Sequence, residues 1–239
     1  MKSALITGGS RGIGEAMVKA FSKNGYKVAF TYKKSETAAK ALAELTGALA
    51  IKADSACAED IIRAVEEAEK QLGGIDCLIN NAAISSFSLF TDITLEQWRE
   101  IMDVNVTGTF LYTKAVVPGM ISRKRGRIIN ISSMWGIVGA SCEVHYSTSK
   151  AAIIGMSKAL AKELGPSGIT VNAIAPGVID TEMNRNHLSE DDLRMLAEDT
   201  PLMRIGTPDE VASAALYLAG DDAGFITGDV INLSGGFVV

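Results

Sequence analysis

Tyr146 and Lys150 stand four residues apart in Val-His-Tyr-Ser-Thr-Ser-Lys, a spacing that puts both side chains on one face of a helix. An ordinary phenol, with a pKa near 10, is a poor acid–base group at neutral pH, but an adjacent ammonium favours the phenolate and lowers that value. Such a pair could exchange a proton with a carbonyl or alcohol oxygen. Tyr-x-x-x-Lys is also common as surface decoration, so the rest of the chain has to decide.

A second group of residues suits a dinucleotide. Thr7-Gly8-Gly9-Ser10-Arg11-Gly12-Ile13-Gly14 lies between an apolar run and a helical pattern. Glycines there allow positive φ and close approach of a pyrophosphate, whose charge is met by backbone N–H groups and the helix dipole. Gly8, Ser10, Arg11, Gly12, Ile13 and Gly14 are the expected contacts. NAD-specific sites usually present a carboxylate near the end of the second strand, about 20 residues on. Here that segment reads Phe30-Thr31-Tyr32-Lys33-Lys34. With no carboxylate to repel a phosphate, and with Arg11, Lys33 and Lys34 able to neutralise one, NADPH/NADP+ fits better than NADH. Thr31 and Lys34 are the residues expected against it; the competing reading of both lysines is solvated loop charge.

Holding these groups in place requires a sheet. Ala4–Thr7, Val28–Tyr32, Ala48–Lys52, Cys77–Asn80, Arg127–Ile131, Thr170–Ile174 and Val230–Leu233 read as strands. Gly12–Asn24, Glu36–Leu45, Glu59–Leu72, Leu95–Ser122, Val144–Leu164 and Pro208–Leu218 carry apolar residues at helical spacing. The alternation predicts an α/β, doubly wound (Rossmann) fold: a parallel seven-stranded sheet with helices on both faces, in a single domain over 1–239. The long polar stretch at about 181–207 follows a strand's carboxyl end and reads as a substrate lid. Its His187 and Glu190-Asp191-Asp192 lack metal-ligand spacing, and no metal site is expected.

Composition narrows the partners. The 239 residues are 47% hydrophobic and 21% charged, with a net charge of −5, which opposes broad attraction to nucleic acid or anionic lipid and favours small molecules. Three cysteines, Cys57, Cys77 and Cys142, form no CxxC pattern, and the N-terminal apolar run is too short for a signal peptide or membrane span. A cytoplasmic protein is expected.

Across essentially its whole length the chain resembles the short-chain dehydrogenase/reductase family. The likeness rests on the Thr7–Gly14 turn, Asn80-Asn81-Ala82-Ala83, Asn105 in Asp-Val-Asn-Val-Thr-Gly, and Ser133 with Tyr146 and Lys150. The family's Asn-Asn-Ala motif normally ends in Gly where this chain has Ala83. The resemblance implies Tyr146 as general acid, Ser133 as hydrogen-bond donor to the carbonyl, Lys150 on the nicotinamide ribose and Asn105 holding a water that relays protons to Lys150. It further implies Asp54 and Ser55 at the adenine, Asn81 with Ala82 at the adenosine ribose, Pro176, Gly177 and Ile179 at the carboxamide, and Thr181 at the pyrophosphate. A homotetramer paired through Leu95–Ser122 and Val144–Leu164 is implied as well. His145, Trp135 and Cys142, outside these motifs, read as packing or pocket wall.

Within the family the likeness is to 3-oxoacyl-[acyl-carrier-protein] reductases, in the glycine turn, Ala-Pro-Gly-Val-Ile-Asp-Thr-Glu-Met and the Ile226-Thr227-Gly228…Gly235-Gly236 end. It implies reduction of a 3-oxoacyl thioester in fatty acid synthesis, with acyl carrier protein as a candidate partner. Arg123-Lys124-Arg125 with Arg127 would be the basic landing patch, although such reductases often carry a further basic residue where this chain has Pro166-Ser167. The Ser-Ser-Met-Trp-Gly…Ser-Cys-Glu-Val-His-Tyr stretch also resembles reductases of a 5-aminopentanone modification on elongation factor P. A non-catalytic NADP(H)-sensing protein is the remaining alternative, and the intact Asn105, Ser133, Tyr146 and Lys150 set argues against it.

Overall fold

The computed structural model describes residues 2–186 and 188–238; Met1, Val239 and His187, which falls in the stretch expected to be a lid, lie outside them. Among the described residues, β1 (Ser3–Ile6), β2 (Lys27–Tyr32), β3 (Leu49–Lys52), β4 (Cys77–Asn80), β5 (Gly126–Ile131), β6 (Ile169–Pro176) and β7 (Val230–Leu233) form one parallel sheet. Its order is β3-β2-β1-β4-β5-β6-β7. The strand order reverses between β1 and β4, so their outgoing loops part and leave a crevice at the carboxyl edge, where such sheets bind ligands.

Helices cover both faces because the central strands are apolar on both. On one face α1 (Gly12–Lys23) and, near the C-terminus, Pro208–Ala219 bring Met17, Val18, Phe21, Val211, Ala215 and Leu218 onto Ile6, Phe30, Ile129 and Ile174. On the other face, Ala58–Leu72, Gly108–Arg123 and Val144–Leu164 bring Ile61, Val65, Tyr112, Val116, Met120 and Leu164 onto Leu5, Ile51, Leu78, Ile128 and Val171. Burial of each such aliphatic or aromatic side chain contributes roughly 1.5–3 kcal/mol. In chain order the helices are α1, α2 (Glu36–Thr46), α3 (Ala58–Leu72), α4 (Leu95–Met102), α5 (Gly108–Arg123), α6 (Trp135–Val138), α7 (Val144–Leu164), α8 (Glu182–Arg185), α9 (Glu190–Asp199) and α10 (Pro208–Ala219).

Two departures from the sequence expectation bear on the site. The helix expected over Leu95–Ser122 is divided by a wide π turn at Asp103–Thr107. Directly after it Gly108 abuts the Ser55 carbonyl so closely that a Cβ there would collide with it. Such one-turn widenings are frequent at functional positions. The stretch 181–207 is not structureless, since α8 and α9 lie in it with no buried residue. Its ends are drawn together by Asp180 N–H to the Gly206 carbonyl (2.9 Å) and Gly206 N–H to the Val178 carbonyl (2.8 Å).

Candidate active site

Beyond β1 the chain turns through Gly8 (φ +66°) and Gly12 (φ +53°) into α1. The residue ahead of α1, Arg11, gives that helix no side-chain cap, so its first N–H groups face the crevice, where an anion can accept from them. The turn is locked from β4. Thr7 Oγ1 accepts from Asn81 N–H (2.9 Å) and Ala82 N–H (3.0 Å), while Asn81 Nδ2 donates to the carbonyls of Thr7 (2.9 Å) and Gly8 (3.1 Å). Gly8 N–H donates to Thr31 Oγ1 (3.2 Å). Thr7 was not singled out from the sequence as a site residue. Its signal was there, a hydroxyl placed between the first strand and the first glycine.

The crevice encloses about 380 Å³ and is bordered by every residue expected at the dinucleotide, from Gly8 and Arg11 across Thr31, Asp54 and Asn81 to Tyr146, Gly177 and Thr181. That volume falls in the usual range for cofactor and ligand sites. Gly12 and Thr181 face each other across it, since a Cβ on Gly12 would lie 3.5 Å from Thr181 Cγ2. The cations around it are not equivalent. Lys33 pairs with Asp54 at 2.6 Å; burial pushes the Asp54 carboxyl up, but this ammonium and the Ala56 N–H outweigh it and hold the group below its ordinary range. Arg11 meets Glu182 at 3.4 Å with both side chains mostly in solvent, a contact worth well under about 1 kcal/mol. Lys34 is exposed and has no ion pair among the described residues.

On the other side of the crevice β5 delivers Ser132 and Ser133, and α7 delivers Tyr146 and Lys150. Ser132 N–H to the Ile174 carbonyl (2.7 Å) and Met134 N–H to the Pro176 carbonyl (2.9 Å) pin this loop to β6. Ser132 Oγ donates to the Lys150 carbonyl (2.8 Å), tying it to α7. Ser133, Tyr146 and Lys150 border the crevice together, and Ser133 Oγ accepts from Trp135 N–H (3.2 Å). Lys150 Nζ donates to the Ile131 carbonyl (2.9 Å) and stands 5.6 Å from the centre of the Tyr146 ring.

This geometry corrects the expected electrostatics. Burial pushes the Tyr146 phenol up to about 12, the Glu143 carboxylate adds to the rise, and the nearby Ser133 hydroxyl opposes it. Burial brings Lys150 down to about 8. The ammonium is aimed at a backbone carbonyl and over the ring face, so it does not lower the phenol as helical spacing alone suggested. At neutral pH the phenol is protonated.

Asn105 lies in the π turn and does not border the crevice. Its Oδ1 accepts from Ile84 N–H (2.9 Å), and its Nδ2 donates to the Ile84 carbonyl (3.0 Å) and Ser149 Oγ (3.0 Å). Ser149 Oγ in turn donates to the Tyr146 carbonyl (2.7 Å). The carboxamide thus clamps the loop after β4 to the first turn of α7. The Asn105 carbonyl accepts from Thr109 Oγ1 (2.8 Å).

The residues outside the motifs divide. His145 is fully buried with Nε2 on Ser86 Oγ (2.7 Å), a packing position. Trp135 packs edge-on against Phe237, centroids 5.8 Å apart. Cys142 takes a left-handed φ of 60° and its carbonyl accepts from Ser88 N–H (2.9 Å). Arg123, Lys124, Arg125 and Arg127 lie where α5 enters β5, at the amino edge of the sheet, about 20 Å of strand from the crevice of the same chain. Arg123 is engaged with the Ile75 carbonyl (2.6 Å) and Arg125 with Asp76 (3.1 Å). Glu143, which sequence reasoning left aside, is buried next to Tyr146. Among the described residues no group of three or more His, Cys, Asp or Glu is placed to hold a metal, and no helix is long and apolar enough to cross a membrane.

Known proteins match along the whole chain. A family model described as Enoyl-(Acyl carrier protein) reductase matches residues 8–238. An acetoacetyl-CoA reductase of Shinella zoogloeoides is 43% identical, covering 98% of this chain and 97% of its own. A 3-oxoacyl-[acyl-carrier-protein] reductase of Synechocystis sp. is also 43% identical, covering 99% and 96%. A double-mutant short-chain dehydrogenase/reductase of Serratia marcescens superposes with a TM-score of 0.93 at 37% identity, over 100% of this chain and 98% of that one. With its crevice at the β1–β4 reversal and its Ser133, Tyr146 and Lys150 gathered there, the chain belongs to the short-chain dehydrogenase/reductase family.

Proposed function

We propose that this chain reduces a ketone to a secondary alcohol with NADPH, the 3-oxo group of an acyl thioester being the substrate its relatives favour. Family membership makes the cofactor a nicotinamide nucleotide. The observation that carries the reading is the gathering of Ser133, Tyr146 and Lys150 at the wall of a dinucleotide-sized crevice. When bound, the nucleotide supplies hydride to the carbonyl carbon. Ser133 and Tyr146 donate hydrogen bonds to the carbonyl oxygen, where charge develops, and the Tyr146 proton passes to it. Lys150, with its pKa near neutrality, binds the nicotinamide ribose and exchanges protons with the phenol. Asn105 positions Tyr146 through Ser149.

In the same reading Gly8, Ser10, Gly12, Ile13, Gly14 and Thr181 surround the pyrophosphate. Asp54 and Ser55 flank the adenine, Asn81 and Ala82 the adenosine ribose, and Pro176, Gly177 and Ile179 the carboxamide. Arg11 and Lys34 take the 2′-phosphate, Lys33 being committed to Asp54, and Thr31 lies beside them. Residues 181–207 act as the lid of this single domain. A cytoplasmic homotetramer completes the proposal, consistent with the half-exposed Phe110 on α5 and the fully exposed Phe225 ahead of the edge strand β7; a sedimentation mass of one chain would contradict it.

The test is NADPH oxidation with an acetoacetyl thioester, using wild type and Tyr146→Phe with NADH in parallel. Turnover should fall by about a hundredfold or more in the variant while NADPH binding persists. Equal turnover by both proteins removes Tyr146 as the proton donor.

A further inference from the structure

Ser133 reaches the crevice from a loop that runs at once into α6, a helix of only four residues. A single turn has little stability of its own, so whatever packs on α6 decides where the Ser133 hydroxyl points. Trp135 N–H donates to Ser133 Oγ (3.2 Å). That bond occupies a lone pair of the hydroxyl and leaves its proton to be donated elsewhere, which ties the donor direction of Ser133 to the place of Trp135. The next residue, Gly136, presses on α7, since a Cβ there would lie 2.7 Å from the Lys150 carbonyl carbon.

The indole of Trp135 is half-buried, and its edge-to-face partner is the ring of Phe237, 5.8 Å away and inclined at 88°. Phe237 stands in Ser234–Val238, which follows β7 and is itself fixed along its length. Just ahead of it Gly177 N–H donates to the Leu233 carbonyl (2.9 Å), and at its far end Val238 N–H donates to Ser234 Oγ (3.2 Å). Between these, Gly235 (φ +65°) and Gly236 (φ +88°) lie against Thr200 and Pro201, where a Cβ would come within 2.7 Å and 3.0 Å of those side chains. Leu202 N–H adds a bond to the Gly235 carbonyl (3.2 Å). Phe237 is thus a ring on a strap held by β6 and by the close of the 181–207 stretch. Neither aromatic ring borders the crevice, so the pair acts on the crevice through α6.

We propose that Phe237 is a positioning residue for the reduction: by holding Trp135 it seats α6 on Lys150 and aims the Ser133 hydroxyl at the carbonyl oxygen. The inference rests on the ketone-reductase reading above and deepens it with a residue outside the motifs. Without the ring, α6 is free to shift, and a donor displaced from the developing oxyanion costs rate without costing nucleotide affinity.

Phe237→Ala should lower kcat for an acetoacetyl thioester by about tenfold and leave the NADPH Kd within about twofold, while Phe237→Tyr, which keeps the ring, should stay within about twofold of wild type. Trp135→Leu removes the same contact from the other side and should reproduce the loss, which keeps the test open if Phe237→Ala does not fold. Action through Ser133 is read from a double-mutant cycle followed in single turnover, where slow rates remain measurable. In a Ser133→Ala background, Phe237→Ala should cost less than about twofold. A full loss in that background, or no loss in the wild-type one, overturns the positioning role. In a Trp98→Phe chain Trp135 is the only tryptophan. There Phe237→Ala should shift the emission to the red and open it to acrylamide, and unchanged emission and quenching overturn the contact. If wild type binds NADPH yet leaves the thioester untouched, the reductase reading falls instead, and the emission still decides whether Phe237 holds Trp135.

Discussion

Replacing Glu143 by Gln should change how the stability of the unliganded protein depends on pH. Burial raises this carboxyl from an ordinary 4.5 to about 7 in the folded chain. At roughly 1.4 kcal/mol per pH unit, that interval corresponds to about 3 kcal/mol, and the residual solvent access of the oxygens reduces it to about 2 kcal/mol. The sign follows from the direction. A folded-state pKa above the unfolded one contributes stability that is fully present below about 4.5 and is lost as pH climbs through about 7. Gln has no proton to lose, so the variant should gain on wild type between pH 5 and pH 8. For a chain of this size 1 kcal/mol is roughly 2–4 °C in Tm, so the gap should widen by about 4–8 °C. Thermal melts at four pH values and one subunit concentration measure it. Two curves that stay parallel from pH 5 to pH 8 would refute the reasoning, because they would mean that Glu143 is solvated or already paired.

Arg11→Ala and Lys34→Ala should each weaken NADPH binding by about tenfold, leave NADH within about twofold, and hardly move Tm, because the Arg11–Glu182 contact is solvent-exposed; nucleotide fluorescence titrations check this. Gly14→Ala should abolish dinucleotide binding and lower Tm, because the new Cβ would run into the Gly8 carbonyl and lie 2.8 Å from Asn81 Nδ2; an unchanged Kd would show that the turn can yield. Asn130→Ala should cost about 2–4 kcal/mol in urea unfolding. It breaks a buried chain in which Asn80 Nδ2 donates to Asn130 Oδ1 (2.8 Å) and Asn130 Nδ2 to Ser157 Oγ (2.8 Å).

What could be read from the sequence was what is set locally. The β1 strand, glycine turn and α1 helix announce themselves within a few residues, and the alternating periods gave the seven strands to within about two residues at each end. What could not be read depends on partners far along the chain. Lys33 and Lys34 look alike until Asp54, arriving from beyond β3, takes one of them. The break at Asp103–Thr107 sits where Gly108 meets the Ser55 carbonyl, a contact no periodicity reports. Arg123, Lys124, Arg125 and Arg127 form a basic run along the chain, and only the topology puts them at the amino edge of the sheet, opposite the crevice. Glu143 looks like surface charge, and only the folded chain buries it.

The Tyr146–Lys150 spacing was read correctly as one helical face, but burial, more than the pairing of the two groups, sets their electrostatics. Burial acts in opposite senses on the two groups, raising the phenol and lowering the amine, so both are driven toward their neutral forms. A protonated phenol is the state a ketone reduction consumes, whereas alcohol oxidation needs the phenolate that burial opposes. Ionised Glu143 pushes the phenol further the same way.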